Sequence, residues 1–591
     1  MGSGGAFVAV IILAAVVRAA NVWWFRVSPA AEHLISDHAE YDNWAQRIAA
    51  GDWVGHGVFW VDPLYAYVLA VLYKLFGHDL TLVRAVNGVF GVGSVVFAGA
   101  IARRITGRAA VGNAAMFVAA LFVPLMHNEL QIEKASLTTL LAAAALAVFL
   151  RGTRRAIAVA GLLTGLGVLG RGNLLLMVPA GVMALLLEPR AASPPQARRP
   201  PGRASAAFPI TRESLSRAAL FAGAAAAVIG VLTVRNVVVA HELLLTTSIG
   251  GPAFYAAQLA GYEHGAYESP SFVRPIARYE HDDFHAEAVR RVGRPMSDTE
   301  VNAYWMRRGV DEVLAHPGAT LVRSLTRLRL AFHQWEVPDN DEVETAALYS
   351  PLLRLPLFWF GQVMPFAVLG TVAWWRRSRA ARVTAGAVAV YVAGLVMFYV
   401  VGRMRLPVVV PVIALATAGA AWWIDRARSL DARGAVGGAA LVAVGLAVCM
   451  SRPAWMVEGR TSGLMTSYAN LGSQCVSARR FDEAITAYER AVAINPEFVL
   501  GLRKLGDLYL GRRRYADAER AMRLVLHHKP SSPLGHAALI RLYETMARDP
   551  STGGAGAVRA RLADAYRAAG QQDDAARLLN EAAPRAGAGA P

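Results

Sequence analysis

At 591 residues the chain is too long for one globular core, so more than one domain is expected. Its 55% hydrophobic and 17% charged residues, with mean hydropathy +0.35, exclude an ordinary soluble protein and point to repeated bilayer spans. A formal charge of +17 would suit a nucleic-acid binder, but the basic residues follow membrane topology, so no nucleic-acid partner is expected.

The first apolar run, Ala6 to Phe25, lacks a basic leader and a small-x-small cleavage site, so it reads as a retained first span. A helix rising about 1.5 Å per residue needs roughly 20 apolar residues to cross the hydrocarbon. Runs near that length follow at 81–102, 109–126, 135–150, 156–170, 172–188, 217–240, 353–375, 383–401, 406–424 and 435–450, eleven in all. Alternate connections between them hold 19 Arg or Lys against three acids, which assigns that side to the cytoplasm. The 241–350 loop falls on the opposite side with 10 Arg and 16 Asp or Glu. An odd number of spans with the N-terminus inside places the C-terminus outside. Cys449 and Cys475 form no disulfide framework and no metal-ligand pattern.

The exterior stretch after the first run reads Ser36-Asp37-His38-Ala39-Glu40-Tyr41-Asp42, continuing through Gly51-Asp52-Trp53 and Asp62-Pro63-Leu64-Tyr65 to Leu75-Phe76-Gly77. Asp37 with Glu40 three later has the spacing of a helix-capping pair. Tyr41 shares a helix face with Asp37, whereas Asp42 lies roughly 140° around, so the two aspartates do not aim at one substrate. The next outer turn, His127-Asn128-Glu129-Leu130-Gln131-Ile132-Glu133-Lys134, carries two carboxylates and a histidine that could hold a divalent metal, orient an acceptor, or simply cap the membrane interface. Arg171, Arg403 and Arg405 break the positive-inside pattern in short outer turns. The planar guanidinium fork suits the phosphate of a lipid-borne donor at that depth, against a plain snorkelling role.

Asp37 with Tyr41, an Ala/Trp-rich helix, Gly-Asp-Trp, and Pro63-Leu64 before Leu-Phe-Gly resemble the first outer loop of the GT-C membrane glycosyltransferases. Nearest is the family 39 group of protein O-mannosyltransferases and lipid A aminoarabinose transferases. The resemblance covers residues 1–430 in layout, and its motifs lie in the first 190 and around 403–411. It implies that Asp37 is the catalytic base of an Asp-Glu motif in which His38 replaces the Glu, and that Pro63-Leu64 belongs to a Pro-Pro-Leu motif with Asp62 in place of the first Pro. It further implies that Glu133 is the second catalytic acid and that Arg171, Arg403 and Arg405 bind donor phosphate. Tyr41, Asp42, Pro63 and Tyr65 would then contact the acceptor. The donor would be a polyprenyl-phosphate sugar, with inversion at the anomeric carbon.

Within the large loop, His281 and His285 are spaced to share a zinc ion, but no third ligand accompanies them, so a solvated helix face is expected. Tyr255, Tyr262 and Tyr267 would suit a sugar or acceptor site. Neither a Gly-rich phosphate cradle nor a nucleophile elbow is present, which disfavours a soluble nucleotide-sugar donor.

The tail repeats itself: Ala484, Tyr488, Ala491 and Pro496 recur 34 positions later as Ala518, Met522, Val525 and Pro530, and Leu471-Gly472 recurs as Leu505-Gly506. This resembles the tetratricopeptide repeat, a helical pair that stacks into a partner-binding surface. A further helical pattern follows the Gly553-Gly554 break.

The expectation is therefore an all-α chain: a polytopic membrane bundle over 1–455 with outer loops 26–80 and 241–350, then a tetratricopeptide domain over 461–583. It would sit as a multi-pass protein in a bacterial inner or plasma membrane, with its repeats on the exterior side. It would meet membrane lipids, a lipid-linked sugar donor, and a protein partner or acceptor through the repeats. Two rival readings are a non-catalytic scaffold working through its repeats and a translocator of lipid-linked sugars.

Overall fold

The computed structural model describes residues 3–187, 210–259, 269–274, 277–339, 341–552 and 555–582. Tyr262, Tyr267 and the Gly553-Gly554 break lie outside them. The described residues are helical with no strand, and they divide into two units, Met1–Val457 and Glu458–Pro591.

The first unit opens with α1 (Ser3–Phe25), α2 (Ser36–Ala49), α3 (Leu64–Phe76), α4 (Leu80–Thr106), α5 (Ala109–Ala120), α6 (Val123–Asn128), α7 (Ala135–Phe149), α8 (Arg154–Gly170) and α9 (Met177–Leu186). It continues with α10 (Arg212–Arg235), α11 (Gly250–Gln258), α12 (Ala277–Val292), α13 (Asp298–Ala315), α14 (Pro317–Phe332), α15 (Val343–Ala346), α16 (Phe360–Trp374), α17 (Arg379–Met397), α18 (Gly402–Arg428) and α19 (Ala432–Met450). Each of the eleven apolar runs contains helix among the described residues. By length and composition, six of the described helices are long and apolar enough to cross a membrane: α1, α4, α10, α17, α18 and α19. Shorter apolar helices fill the rest, because the 109–126 run breaks at Leu121 and the 172–188 run starts as a 3-10 turn over Gly172–Leu176.

Local chemistry sets the boundaries. The Asp79 carboxylate accepts the Thr81 and Leu82 N–H groups at the start of α4, and Gly107 ends that helix in the left-handed region at φ 74°. Thr211 and Ser214 box the start of α10, and Ser297 with Glu300 boxes that of α13. The axis of the bundle is α18, buried along nearly all of its first two thirds, from Gly402 to Gly419. It packs against α16 through glycines: a methyl added at Gly370 or Gly419 would strike the Leu415 or Phe366 carbonyl on the facing helix. Helices this close depend on small residues, since lipid supplies no hydrophobic drive between them.

The second unit takes in most of α20 (Ala454–Ser477), then α21 (Phe481–Ile494), α22 (Val499–Gly511), α23 (Tyr515–His528), α24 (Pro533–Arg548), α25 (Ala555–Ala568) and α26 (Gln572–Ala582). The repeat explains its packing. A Cβ at Gly472 would lie 2.8 Å from the Tyr488 ring, and one at Gly506 would lie 2.9 Å from Met522, so the same close approach recurs in both pairs. Tyr488, Leu505, Ala518, Met522 and Leu542 form its core.

Candidate active site

Three carboxylates from three separate segments meet one guanidinium. Asp37 stands in the first turn of α2, directly after Ser36, whose φ of 50° is strained for a side chain with a Cβ. Ile35 rather than Asp37 occupies the N-cap position, with no side-chain capping bond, so Asp37 is not spent on the cap. Its carboxylate instead accepts from Arg403 Nη2 at 2.5 Å. Glu133, in the turn before α7, and Asp339, in the segment between α14 and α15, also pair with Arg403. Glu133 is sealed in, with its side chain 2% exposed, whereas Asp37 at 30% and Asp339 at 25% reach solvent.

The charges are out of balance, three anions to one cation. Burial opposes ionisation of Asp37, but the adjacent Arg403 guanidinium outweighs it and holds the carboxyl below the ordinary aspartate value. Glu133 follows the same pattern and is likewise lowered. For Asp339, burial prevails, reinforced by the charges of Asp37 and Glu133 against the pull of Arg403, and its carboxyl is raised. Asp341 is raised by burial as well, with His38 3.8 Å away opposing it. Beside this cluster a polar cavity of about 40 Å³ is lined by His38, His127, Glu133, Asp339, Asp341 and Arg403. His127 Nδ1 and Glu133 Oε1 have no hydrogen-bond partner. Among the described residues no three His, Cys, Asp or Glu side chains are arranged to hold a metal.

The three outlying arginines part company. Arg405, 1% exposed, pairs with Glu336 at 2.6 Å and donates to the Leu330, His333 and Trp335 carbonyls. Together with the Gly402 N–H bond to Val337 O at 2.8 Å, it stitches the 333–341 segment onto the start of α18, and so places Asp339. Arg171, 3% exposed at the end of α8, leaves Nε and one Nη without a partner. It acts electrostatically on Glu133 and Lys134. Lys134 pairs with Asp62 at 2.5 Å, and the other Asp62 oxygen accepts the Gly172 N–H at 3.1 Å, which ties the turn around Arg171 to the outer loop. An apolar cavity of about 600 Å³ begins nearby at Leu174 and Tyr391 and runs along α7, α9 and α17.

The four residues expected at the acceptor sit inside the scaffold. Asp42 accepts from Tyr73 at 2.6 Å and Gln46 at 2.8 Å and pairs with His78 at 2.8 Å, locking α2 to α3 on the face away from Asp37. Tyr41 is 4% exposed and donates to Asp62 O at 3.3 Å. Tyr65 is buried against Asn87, and Pro63 is the N-cap of α3. Glu129 pairs with Arg18 at 2.9 Å inside the bundle, away from Arg403. His281 bonds to Asp282 and Asp298 and His285 to the Met296 carbonyl, so neither faces a shared metal. Tyr255 packs on Trp305, 4.5 Å between ring centroids.

Sequence reasoning passed over Asp339, Asp341 and Glu336, and it named Lys134, Asp62 and His38 without giving them a role. The available signal for the first three is the acidic run Glu336-Val337-Pro338-Asp339-Asn340-Asp341-Glu342 in a loop shortly before an apolar run.

Residues 61–198 match the family model described as dolichyl-phosphate-mannose-protein mannosyltransferase, and residues 476–542 match that of the tetratricopeptide repeat. No curated protein matches the chain. Among solved structures it is similar to the oligosaccharyltransferase of Archaeoglobus fulgidus tethered with an acceptor peptide, at 13% identity and TM-score 0.38, over 81% of this chain and 58% of that one. It is likewise similar to the archaeal oligosaccharyltransferase AglB from the same organism in complex with an inhibitory peptide and a dolichol-phosphate, at 12% identity and TM-score 0.35, over 81% and 59%. The chain thus spans less than two thirds of the length of these structures.

Proposed function

We propose that the chain is a membrane glycosyltransferase that moves a sugar from a polyprenyl-phosphate carrier to an acceptor hydroxyl, with inversion. The observation that carries this reading is the convergence of Asp37, Glu133 and Asp339 on Arg403, beside the partly unpartnered Arg171.

Asp37 takes the proton of the acceptor hydroxyl as its oxygen bonds to the anomeric carbon. The bond from that carbon to the phosphate oxygen breaks, and the phosphate leaves with the electron pair. Arg403 keeps Asp37 ionised and aimed, which is the state a base requires. Charge building on the departing phosphate falls to Arg171, whose free N–H groups sit in a water-poor turn. Arg403 and Arg405 are already committed to carboxylates, and they position the site rather than bind phosphate. The carrier's apolar chain occupies the 600 Å³ cavity, whose lining includes Gly167 and Leu174 on either side of Arg171 in the chain. A protein acceptor is delivered by the tetratricopeptide unit.

The test is mass spectrometry of envelope glycans and glycoproteins from a deletion strain complemented with wild type or with Asp37→Asn. A product restored by wild type and not by the variant supports the reading. Restoration by both rejects it.

A further inference from the structure

Helix α14 buries two of its three arginines and exposes a row of apolar side chains, with Leu330 and Ala331 also inward and Arg329, on the arc of that row, bonded to Ser451 Oγ at 2.7 Å. Arg323 and Arg327 point into the protein, at 0% and 1% exposure, while Leu321, Val322, Leu325 and Leu328 point away from it at 60%, 53%, 57% and 40%. Their spacing of one, three and three residues gathers them on one face of the helix. On a helix bathed in water that outer face would be the polar one.

What covers the stripe follows from what lies beneath it. The inward face of α14 packs on α17 and α16, and Arg327 donates to Val396 O at 3.3 Å and to Ala257 O. Val396 is one residue from the end of α17, a helix long and apolar enough to span the bilayer. The stripe therefore lies at the rim of the bundle, level with the helix ends on the candidate-site side. Met397, 55% exposed, continues it onto α17. A row of leucines at that depth and on the perimeter meets the boundary between headgroups and acyl chains.

We infer that α14 is seated in the membrane interface, with Leu321, Val322, Leu325 and Leu328 in lipid. The inference needs only that the bundle lies in a bilayer and is independent of the transferase reading. It has a structural consequence, because α14 ends at Phe332 and leads straight into the segment carrying Glu336 and Asp339. The end of the helix is held there by His333 to Ser451 O at 2.8 Å and by Gln334 N–H to Cys449 O at 2.9 Å. Lipid on one side and α19 on the other thus hold the element that brings Asp339 to Arg403.

Spin labels on single cysteines test this, in full-length protein in liposomes with Cys449 and Cys475 replaced by Ser. Labels at Val322, Leu325 and Leu328 are compared with Val372 on α16 as the lipid-facing reference and Arg290 on α12 as the water-facing one. The expected result is a ratio of oxygen to nickel-chelate accessibility several-fold above that of Arg290 and close to that of Val372. Accessibility equal to that of Arg290 overturns the inference. So does strong dipolar broadening at Leu325 that vanishes on dilution with unlabelled protein, because the stripe would then be covered by a second copy.

Discussion

Arg403 is the residue on which the candidate site turns, and its three anionic partners lead to opposite expectations. Asp37→Asn keeps a hydrogen-bonding group on Arg403 but cannot take a proton. Transfer should fall by about 10² to 10⁴-fold with expression and melting nearly unchanged, read by a radiolabelled donor assay beside a thermal-shift series. If Asp37→Asn keeps its rate while Asp339→Asn is dead, the base is Asp339. Asp339 also carries a stability signature. Its carboxyl is raised above 3.8, so the folded state disfavours its ionised form, a cost that grows as pH rises through the unfolded value and persists at neutrality. Asp339→Asn should therefore melt higher at pH 7, by roughly 0.5–2 kcal/mol, with the gain fading below about pH 4, where both states bind the proton. At the phosphate side, Arg171→Lys keeps the charge and loses the fork. Donor affinity should drop about tenfold, equivalent to about 1.4 kcal/mol, with a smaller change in kcat. An unchanged KM for the donor would return Arg171 to a structural role.

At the scale of the element, the bundle is held by close helix contacts rather than by charge. Gly370→Ala puts a methyl against the Leu415 carbonyl of α18 and should destabilise by about 1–3 kcal/mol, seen as early aggregation on heating in detergent. The same substitution at Gly437, which has nothing within 4 Å, is the neutral control. Because α18 carries Arg403 and Arg405 at its first turn, a shift of that helix should also weaken transfer in the surviving folded fraction. Asp42 belongs to this scale too. Its bonds to Tyr73, Gln46 and His78 lock α2 onto α3, so Asp42→Asn should lower the melting temperature while sparing most of the turnover.

Over the whole molecule, the two units have separate cores, so removal of residues 458–591 should leave a membrane unit that inserts and folds. Transfer to a short soluble acceptor should survive that truncation, and transfer to a protein acceptor should fall. Loss of both would make the repeats part of the catalytic unit. Topology is open to direct measurement: reporter fusions at Gly293 and Gly535 should read the same side, as positive-inside counting expects.

Apolar runs and a 34-residue repeat are local patterns, so the sequence by itself determined the membrane class, the helical positions and the tetratricopeptide unit. It also singled out Arg171, Arg403 and Arg405 as breaches of the positive-inside pattern, and Asp37 and Glu133 through resemblance to a family's outer loops. Only the tertiary structure decided who partners whom. Asp37 and Arg403 are 366 positions apart and Glu133 and Arg403 are 270 apart, distances over which no helical period carries information. Arg403 and Arg405 look equivalent in sequence, yet two residues on a helix are about 200° apart, so one faces the carboxylates and the other clasps the 333–341 segment. The acidic run at 336–342 looks like solvated loop until that clasp turns Asp339 inward. Local sequence reports which face of its own helix a side chain takes, whereas the closing of distant faces on one another depends on packing of the whole bundle.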